Sequence, residues 1–444
     1  MNYQTPKGTH DFIEKEALLF EEVEYLFKSM AQLYAFQPIK TPIFEHSELF
    51  LRSVGESSDI VSKEMYTFID KGQRSLTLRP ELTAGTLRAI VNSKLDKTSA
   101  QPLKVYYSGP AFRYERPQLG RFRQFYQFGL ELLGVHSYVN EVEVILWGYY
   151  ALMNLGFKHV TIKINNLGDD HSREQYKLAL KEFFKDKIDH MCPDCQHRYL
   201  NNPLRILDCK VPSDRLIIQD APKITNYLSK PSIEHYQKVK ESLLLFKVPF
   251  VETETLVRGL DYYSNIVFEY HLSDEVGATF DALGAGGYYE HLLSDLGGAK
   301  LNGIGLSLGI DRIISALNKL ALVPDLNELV DVYVMPLSKQ EIEYAFAMVM
   351  MLRNGGFRSE LNTDGSNLKA QLKKANKVGA RFALIIGEQE VNQGLVTIKD
   401  LDQQSQETLK YQDLLAYIGN LLDGHHHDHD HQCDHEHCQC HQGE

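Results

Sequence analysis

Four arginines, Arg113, Arg116, Arg121 and Arg123, fall in one short stretch broken by Pro117 and Gly120. A guanidinium stays charged and offers a rigid fork of N–H donors, so a loop furnished this way is built to meet phosphate or carboxylate. Directly after the loop, side chains alternate. Phe125, Gln127, Gly129 and Glu131 share one face of an extended segment; Tyr126, Phe128, Leu130 and Leu132 share the other. The second face is core. The first carries an amide and a carboxylate, and a carboxylate pointing into a protein needs a partner. A solvated sheet face and a bound ligand both satisfy that pattern, and the alternation alone leaves both open.

Other stretches carry the same kind of chemistry. In L-T-L-R-P-E-L-T-A-G-T-L-R (residues 76–88), Arg79 and Pro80 break the chain and a helix can start at Thr83, which puts Glu81 and Thr83 at its beginning. Acceptors there suit helix capping, the commoner use of Thr and Glu at a helix start. In L-V-R-G-L-D-Y-Y (256–263), Arg258 faces either a buried ion pair with Asp261 or developing charge on a phosphate. A-L-G-A-G-G (282–287) reads as a glycine turn that lets backbone approach a ligand, with Tyr288 and Tyr289 following. G-I-G-L-S-L-G-I-D-R-I-I (303–314) leads a strand into a helix and places Arg312 at the junction, beside Asp311. Cys192 and Cys195, two apart, with Cys209 further on, form either a zinc site or a set of free thiols; His197 is the nearest further donor, and the fourth ligand is open.

The elements that must position these groups follow from periodicity. Leu19, Val23, Leu26, Phe27, Met30, Leu33 and Tyr34 mark an amphipathic helix over residues 16–36. Pro38 and Pro42 keep residues 37–45 extended. Strands are expected at 65–69 and 266–271, and two strands joined by the basic loop across 106–134. Residues 170–246 read as helices rich in Lys, Glu and Tyr. From 330 onward strand and helix alternate: strands at 332–335, 358–361, 383–386 and 395–399, helices at 340–352, 368–375 and 409–422.

The chain has 444 residues, 43% hydrophobic and 24% charged, enough for two to four domains. It shows no eighteen-residue apolar run and no basic-then-apolar leader, so the expected location is cytoplasmic, with no membrane partner. Formal net charge is −12, and the last 21 residues contribute five carboxylates and no Lys or Arg, so local basic patches decide any phosphate binding. That tail interleaves His425, His426, His427, His429, His431, Cys433, His435, His437, Cys438, Cys440 and His441 with carboxylates. It has no apolar face and is expected to be disordered. Imidazole and thiolate at this density bind zinc, nickel or copper, as an expression tag or as a native appendage.

The order F-R-x-E-R-P-x-x-G-R-x-R-Q-F-x-Q from Phe112 to Gln127 resembles motif 2 of the class II aminoacyl-tRNA synthetases, in the form of the histidyl-tRNA synthetases. Residues 37–45 resemble motif 1, which in the family builds a dimer interface around the proline matching Pro42. Residues 78–84 resemble L-R-P-E-x-T-A, with Leu82 in place of the usual Gly. L-V-R-G-L-D-Y-Y resembles the histidine-specific signature, and residues 303–314 resemble motif 3, with Asp311 in place of Glu. Tyr288 stands where the family has Arg. N-P-L-R-I-L-D (202–208) resembles the insertion that clasps the tRNA acceptor arm, and the C-terminal alternation resembles an anticodon-binding domain.

The resemblance, over residues 3–422, implies an α+β fold: an antiparallel catalytic sheet flanked by helices, a helical insertion and a C-terminal α/β domain. The boundaries are 1–169 and 247–323 for the catalytic parts, 170–246 for the insertion, 330–423 for the anticodon-binding domain and 424–444 for the tail. It implies a homodimer acting on ATP with Mg2+, L-histidine and tRNA(His). It further implies that Arg113 and Arg258 stabilise charge at the reacting carboxylate and α-phosphate, and that Arg121 and Arg312 hold the γ-phosphate. Phe125 would stack on adenine. Glu81, Thr83 and Gln127 would take the ammonium group, and Glu131, Tyr263 and Tyr289 would line the imidazole pocket. Two alternatives stand beside it: a non-catalytic paralogue that regulates ATP phosphoribosyltransferase, and a metal-buffering protein acting through its tail.

Overall fold

The computed structural model describes residues 3–55, 58, 60–117, 120–273, 280, 282–324 and 330–426, the last four of these by backbone alone. Two units form, Met1–Pro324 and Asp325–Glu444.

In the first unit the strands are, in chain order, β1 Gln37–Pro38, β2 Phe44–His46, β3 Tyr66–Ile69, β4 Ser75–Leu78, β5 Leu103–Phe112, β6 Gln124–Leu133, β7 Val160–Asn166, β8 Phe250–Glu252, β9 Tyr263–Leu272, β10 Gly284–Tyr289 and β11 Gly303–Gly309. An eight-stranded sheet runs β1-β5-β6-β11-β10-β9-β7-β8, and β2-β4-β3 form a separate small sheet. The expected antiparallel pairing holds from β5 through to β7. Both edge strands, β1 and β8, pair in parallel, which makes the sheet mixed.

One face of this sheet is sealed by the predicted alternation. Phe128 stacks on Tyr106 at 5.5 Å between ring centroids and on Trp147 at 5.6 Å, and meets Phe27 at 5.4 Å. Phe27 comes from the first helix, Glu14–Leu33, which buries Leu19, Val23 and Met30 with it; Trp147 comes from the helix Tyr138–Asn154. Each such ring pair adds about 0.5–1.5 kcal/mol beyond its area. With that face closed, the residues one position along every strand are left to line whatever lies on the opposite face.

The glycine cluster at 282–287, expected to be a turn, is instead largely strand β10 in mid-sheet, paired with β9 and β11. A Cβ on Gly286 would meet the Gly305 carbonyl and lie 2.5 Å from the Phe268 ring. Crowding by neighbouring strands, not a change of chain direction, is what calls for glycine here. Residues 170–246 do fold as helices, Asp170–Phe184, Pro193–Asn201, Pro212–Ile218 and Lys230–Leu245. Tyr176, Leu180, Phe184 and Ile206 form their shared core, with Cys195 and Cys209 buried in it.

The second unit holds β12 Val332–Pro336, β13 Ser359–Leu361, β14 Phe382–Ile386, β15 Leu395–Asp400 and β16 Gln406–Lys410, in sheet order β13-β12-β14-β15-β16. Strand β16 falls where the last helix was expected to begin. The Thr408 hydroxyl meets that of Thr397 across β15 at 3.0 Å, a cross-strand pair of the kind that favours sheet. The helix runs Leu414–His426 instead, so the backbone of Gly424, His425 and His426 is helical where the tail was expected to have left regular structure. The side chains of His425 and His426, and all of His427, His429, His431, Cys433, His435, His437, Cys438, Cys440 and His441, lie outside the described residues. Among the described residues no helix is long and apolar enough to cross a membrane.

Candidate active site

On the open face of the large sheet lies a cavity of about 290 Å³. Nine of the residues singled out from sequence border it: Glu81, Thr83, Arg113, Arg121, Phe125, Gln127, Arg258, Tyr263 and Arg312.

Its arginines are held by backbone carbonyls and by carboxylates. Arg113 donates from Nε to the Pro80 carbonyl at 2.9 Å and lies 5.3 Å from the centre of the Phe125 ring. Arg312 donates to the Ala282 carbonyl at 2.7 Å. Glu115 stands between Arg113 and Arg121, at 3.9 and 4.0 Å. Arg258 pairs with Glu269, whose other oxygen takes His271 Nε2 at 3.0 Å. Burial pushes the Glu269 carboxyl up, but the His271 bond and the Arg258 charge outweigh it, so Glu269 lies below the usual carboxylate range. Of the four loop arginines only Arg113 and Arg121 face the cavity. Arg123 covers the Tyr114 ring at 4.0 Å and Arg116 is exposed.

The opposite end is rich in acceptors. Glu81 accepts from the backbone N–H groups of Thr83 and Ala84 at 2.5 and 2.8 Å, so it caps the helix Thr83–Asn92 and borders the cavity at once. Beneath the floor, Glu131 accepts from the Tyr107 hydroxyl at 2.9 Å and from the Tyr289 hydroxyl at 2.8 Å. Thr83 Oγ1 lies 3.2 Å from the same Tyr107 hydroxyl. Burial pushes the Glu131 carboxyl up to about 7. Glu131 and Tyr289, both 1% exposed, are not on the cavity wall as the sequence reading had them; Tyr107 intervenes. The arrangement can hold a cationic group at the acceptor end and phosphate or carboxylate oxygens at the arginine end, within one small enclosure.

Residues 8–168 match the family model of histidyl-tRNA synthetase, and residues 331–421 match that of the anticodon binding domain. The histidine–tRNA ligase of Bacillus velezensis is 41% identical over 418 residues, covering 94% of this chain and 99% of the relative. The chain belongs to the histidyl-tRNA synthetase family. That of Natranaerobius thermophilus is 43% identical over 412 residues, 92% of this chain and 97% of its own. The crystal structure of apo S. aureus histidyl-tRNA synthetase superposes with a TM-score of 0.80 at 33% identity, covering 94% of this chain and all of that one. An ATP phosphoribosyltransferase regulatory subunit/histidyl-tRNA synthetase from Bacillus halodurans shares the fold, with a TM-score of 0.62 at 19% identity over 87% of this chain and 98% of that one.

The two departures from the family motifs now have places. Tyr288 accepts from Asn302 Nδ2 at 2.8 Å and is absent from the cavity wall. Asp311 does not pair locally with Arg312; its carboxylate accepts from the Tyr126 N–H at 2.6 Å, and burial pushes it up to about 6. Tyr107, Glu115 and Glu269 were not picked out from sequence. The signal for Glu269 was present, since it is a lone carboxylate in the apolar run I-V-F-E-Y, the same pattern that marked Glu131.

Gly305 of motif 3 lies opposite Glu131 in the β11–β6 register, and a Cβ there would press on the carboxylate, 2.7 Å from Cδ. Gly305→Ala is expected to displace Glu131 and lower the unfolding free energy by about 1–3 kcal/mol, read by urea denaturation.

The thiols predicted from sequence also converge. Cys192, Cys195 and Cys209 gather with Asp214, which the sequence reading did not consider. His197 is turned elsewhere, its Nε2 3.1 Å from Asn201 Nδ2 on the exposed side of its helix.

Proposed function

We propose that this chain is a histidine–tRNA ligase. The L-histidine carboxylate oxygen attacks the α-phosphorus of ATP, the bond to the β-phosphate oxygen breaks, and pyrophosphate leaves. The terminal ribose hydroxyl of tRNA(His) then attacks the carbonyl of the resulting histidyl-adenylate and AMP leaves. The observation that carries this reading is Arg258: the histidine-specific motif delivers it to the same cavity as Arg113, opposite the acceptors Glu81, Thr83 and Gln127.

Arg113 and Arg258 stabilise charge on the α-phosphate and the carboxylate, Arg121 and Arg312 hold the γ-phosphate, and Phe125 stacks on adenine. Glu81, Thr83 and Gln127 take the ammonium group. Tyr263 borders the imidazole, and Glu131 with Tyr289 acts on it from behind the wall through Tyr107. Rate comes from positioning and fixed charge, without a covalent nucleophile. Glu115 is a hard oxygen donor on the cavity wall that would suit Mg2+ arriving on the phosphates, where it would offset triphosphate charge. Residues 170–246 serve as the insertion against the acceptor arm, the second unit reads the anticodon, and the motif 1 segment around Pro42 forms a homodimer interface. The proposed location for this reaction is the cytoplasm.

Exchange of labelled pyrophosphate into ATP, with each amino acid in turn, tests the reading. Exchange with histidine alone, and histidine transfer to total tRNA, is expected; no exchange with any amino acid would favour the regulatory paralogue. The tail is an appendage that binds zinc or nickel: ending the chain at residue 423 is expected to leave exchange unchanged and remove metal uptake through imidazole, whereas lost exchange would overturn its independence.

A further inference from the structure

Outside the cavity, three thiols and a carboxylate meet in the first unit: the ligand atoms of Cys192, Cys195, Cys209 and Asp214 all lie within 4.8 Å of one another. Two short segments bring them there. Cys192 caps the helix Pro193–Asn201 and Cys195 sits in its first turn, so both thiols project from the same end. Cys209 ends the turn Pro203–Asp208, and Asp214 lies in the first turn of Pro212–Ile218. Cys195 and Asp214 are 0% and 1% exposed.

The groups touching the Asp214 carboxylate are the Cys192 N–H at 3.0 Å, the Cys209 thiol at 3.3 Å and the Ser213 hydroxyl at 3.3 Å. None is a cation. Two of the separations are close to those of a coordination shell. Tetrahedral zinc with Zn–S bonds of about 2.3 Å and a Zn–O bond of about 2.0–2.2 Å needs S···S edges of about 3.8 Å and S···O edges of about 3.5 Å. Cys192 and Cys209 Sγ stand 3.8 Å apart. A disulfide would bring two sulfurs to about 2.0 Å.

We infer that Cys192, Cys195, Cys209 and Asp214 form a structural zinc site. Its four protein ligands close the coordination sphere, so it supplies no chemistry. What it fixes is the loop between the two cysteine segments. In that loop Asn202 donates from Nδ2 to Asp261 Oδ1 at 2.9 Å, and Asp261 belongs to L-V-R-G-L-D-Y-Y. The ion therefore braces the helical insertion against the motif that carries Arg258.

The tail's own thiols would confuse a metal count, so the test uses the full chain with Cys433→Ser, Cys438→Ser and Cys440→Ser. This protein is expected to keep one sulfur-ligated zinc per chain after dialysis against a weak chelator, with three sulfur neighbours by zinc-edge X-ray absorption, distinct from any nitrogen-ligated zinc on the tail imidazoles. Adding Cys195→Ser or Cys209→Ser is expected to remove that zinc. Because these variants can fail to fold, the parent is also freed of zinc and titrated with cobalt. A thiolate-to-cobalt charge-transfer band saturating at one equivalent, and bleached by zinc, is expected. Absence of sulfur-ligated zinc or of the cobalt band, unchanged zinc after Cys195→Ser, or a Cys192–Cys209 disulfide in peptide maps would each overturn the assignment.

Discussion

Arg258→Ala is expected to lower kcat/KM for histidine-dependent pyrophosphate exchange by about 10²–10³-fold, the loss that follows removal of one preorganised donor from developing charge. The geometry explains why a mere cation would not replace it. Glu269 grips the guanidinium from one side, and His271 and Arg258 together keep Glu269 below the ordinary carboxylate range, so it stays anionic at neutral pH. The fork is thus aimed by a charged partner before any substrate arrives. Arg258→Lys keeps the charge but loses the planar, two-pronged geometry, and is expected to recover only a small part of the loss. Glu269→Gln keeps a hydrogen-bond acceptor and weakens the grip, and is expected to cost less than Arg258→Ala. If the arginine served only an internal ion pair, Glu269→Gln would match Arg258→Ala in stability and neither would change the rate constant of folded protein. Single-turnover rates beside melting midpoints separate the two cases.

Why so much of this site could be read from sequence is visible in β6. Period-two alternation fixes which residues share a face, and once Phe128 and Leu130 are core, Gln127 and Glu131 must lie on the opposite face. Alternation says nothing of depth. It could not tell that Tyr107 from the neighbouring strand would roof Glu131, because that depends on Gly129 lying opposite Tyr107 in the register, a pairing between strands. The glycines of β10 were misread for the same reason, since a turn and a crowded sheet both call for a missing Cβ. Asp214 escaped notice because nothing local marks one Asp in V-P-S-D as a ligand; only the fold brings its helix to the thiols. Local chemistry was legible, and what two distant segments do to each other was not.

Glu131 turns that depth into a second measurable effect. In the free protein its carboxyl, pushed up by burial to about 7 from an ordinary 4.5, holds a proton that the unfolded chain has already lost. Between those two values the native state binds more protons than the unfolded state, so the unfolding free energy falls as pH rises through the window and is flat on either side. Glu131→Gln, which cannot ionise, is expected to remove that part of the slope; urea denaturation of both proteins below, within and above the window checks it, and an unchanged slope would show that Glu131 does not carry it. The same residue pays its way only with ligand present. A histidine bearing its ammonium, and an imidazole placed by Tyr107 and Tyr263, favours the ionised carboxylate. Glu131 acts on the ligand through the Tyr107 hydroxyl, so Glu131→Gln is expected to raise the KM for histidine by roughly 10-fold, about the loss of one hydrogen bond to a charged group. Because that influence is alike in ground state and transition state, kcat is expected to move much less than KM. The protein therefore keeps a carboxylate whose ionisation opposes its own folding near neutral pH, and the substrate is what makes that ionisation favourable.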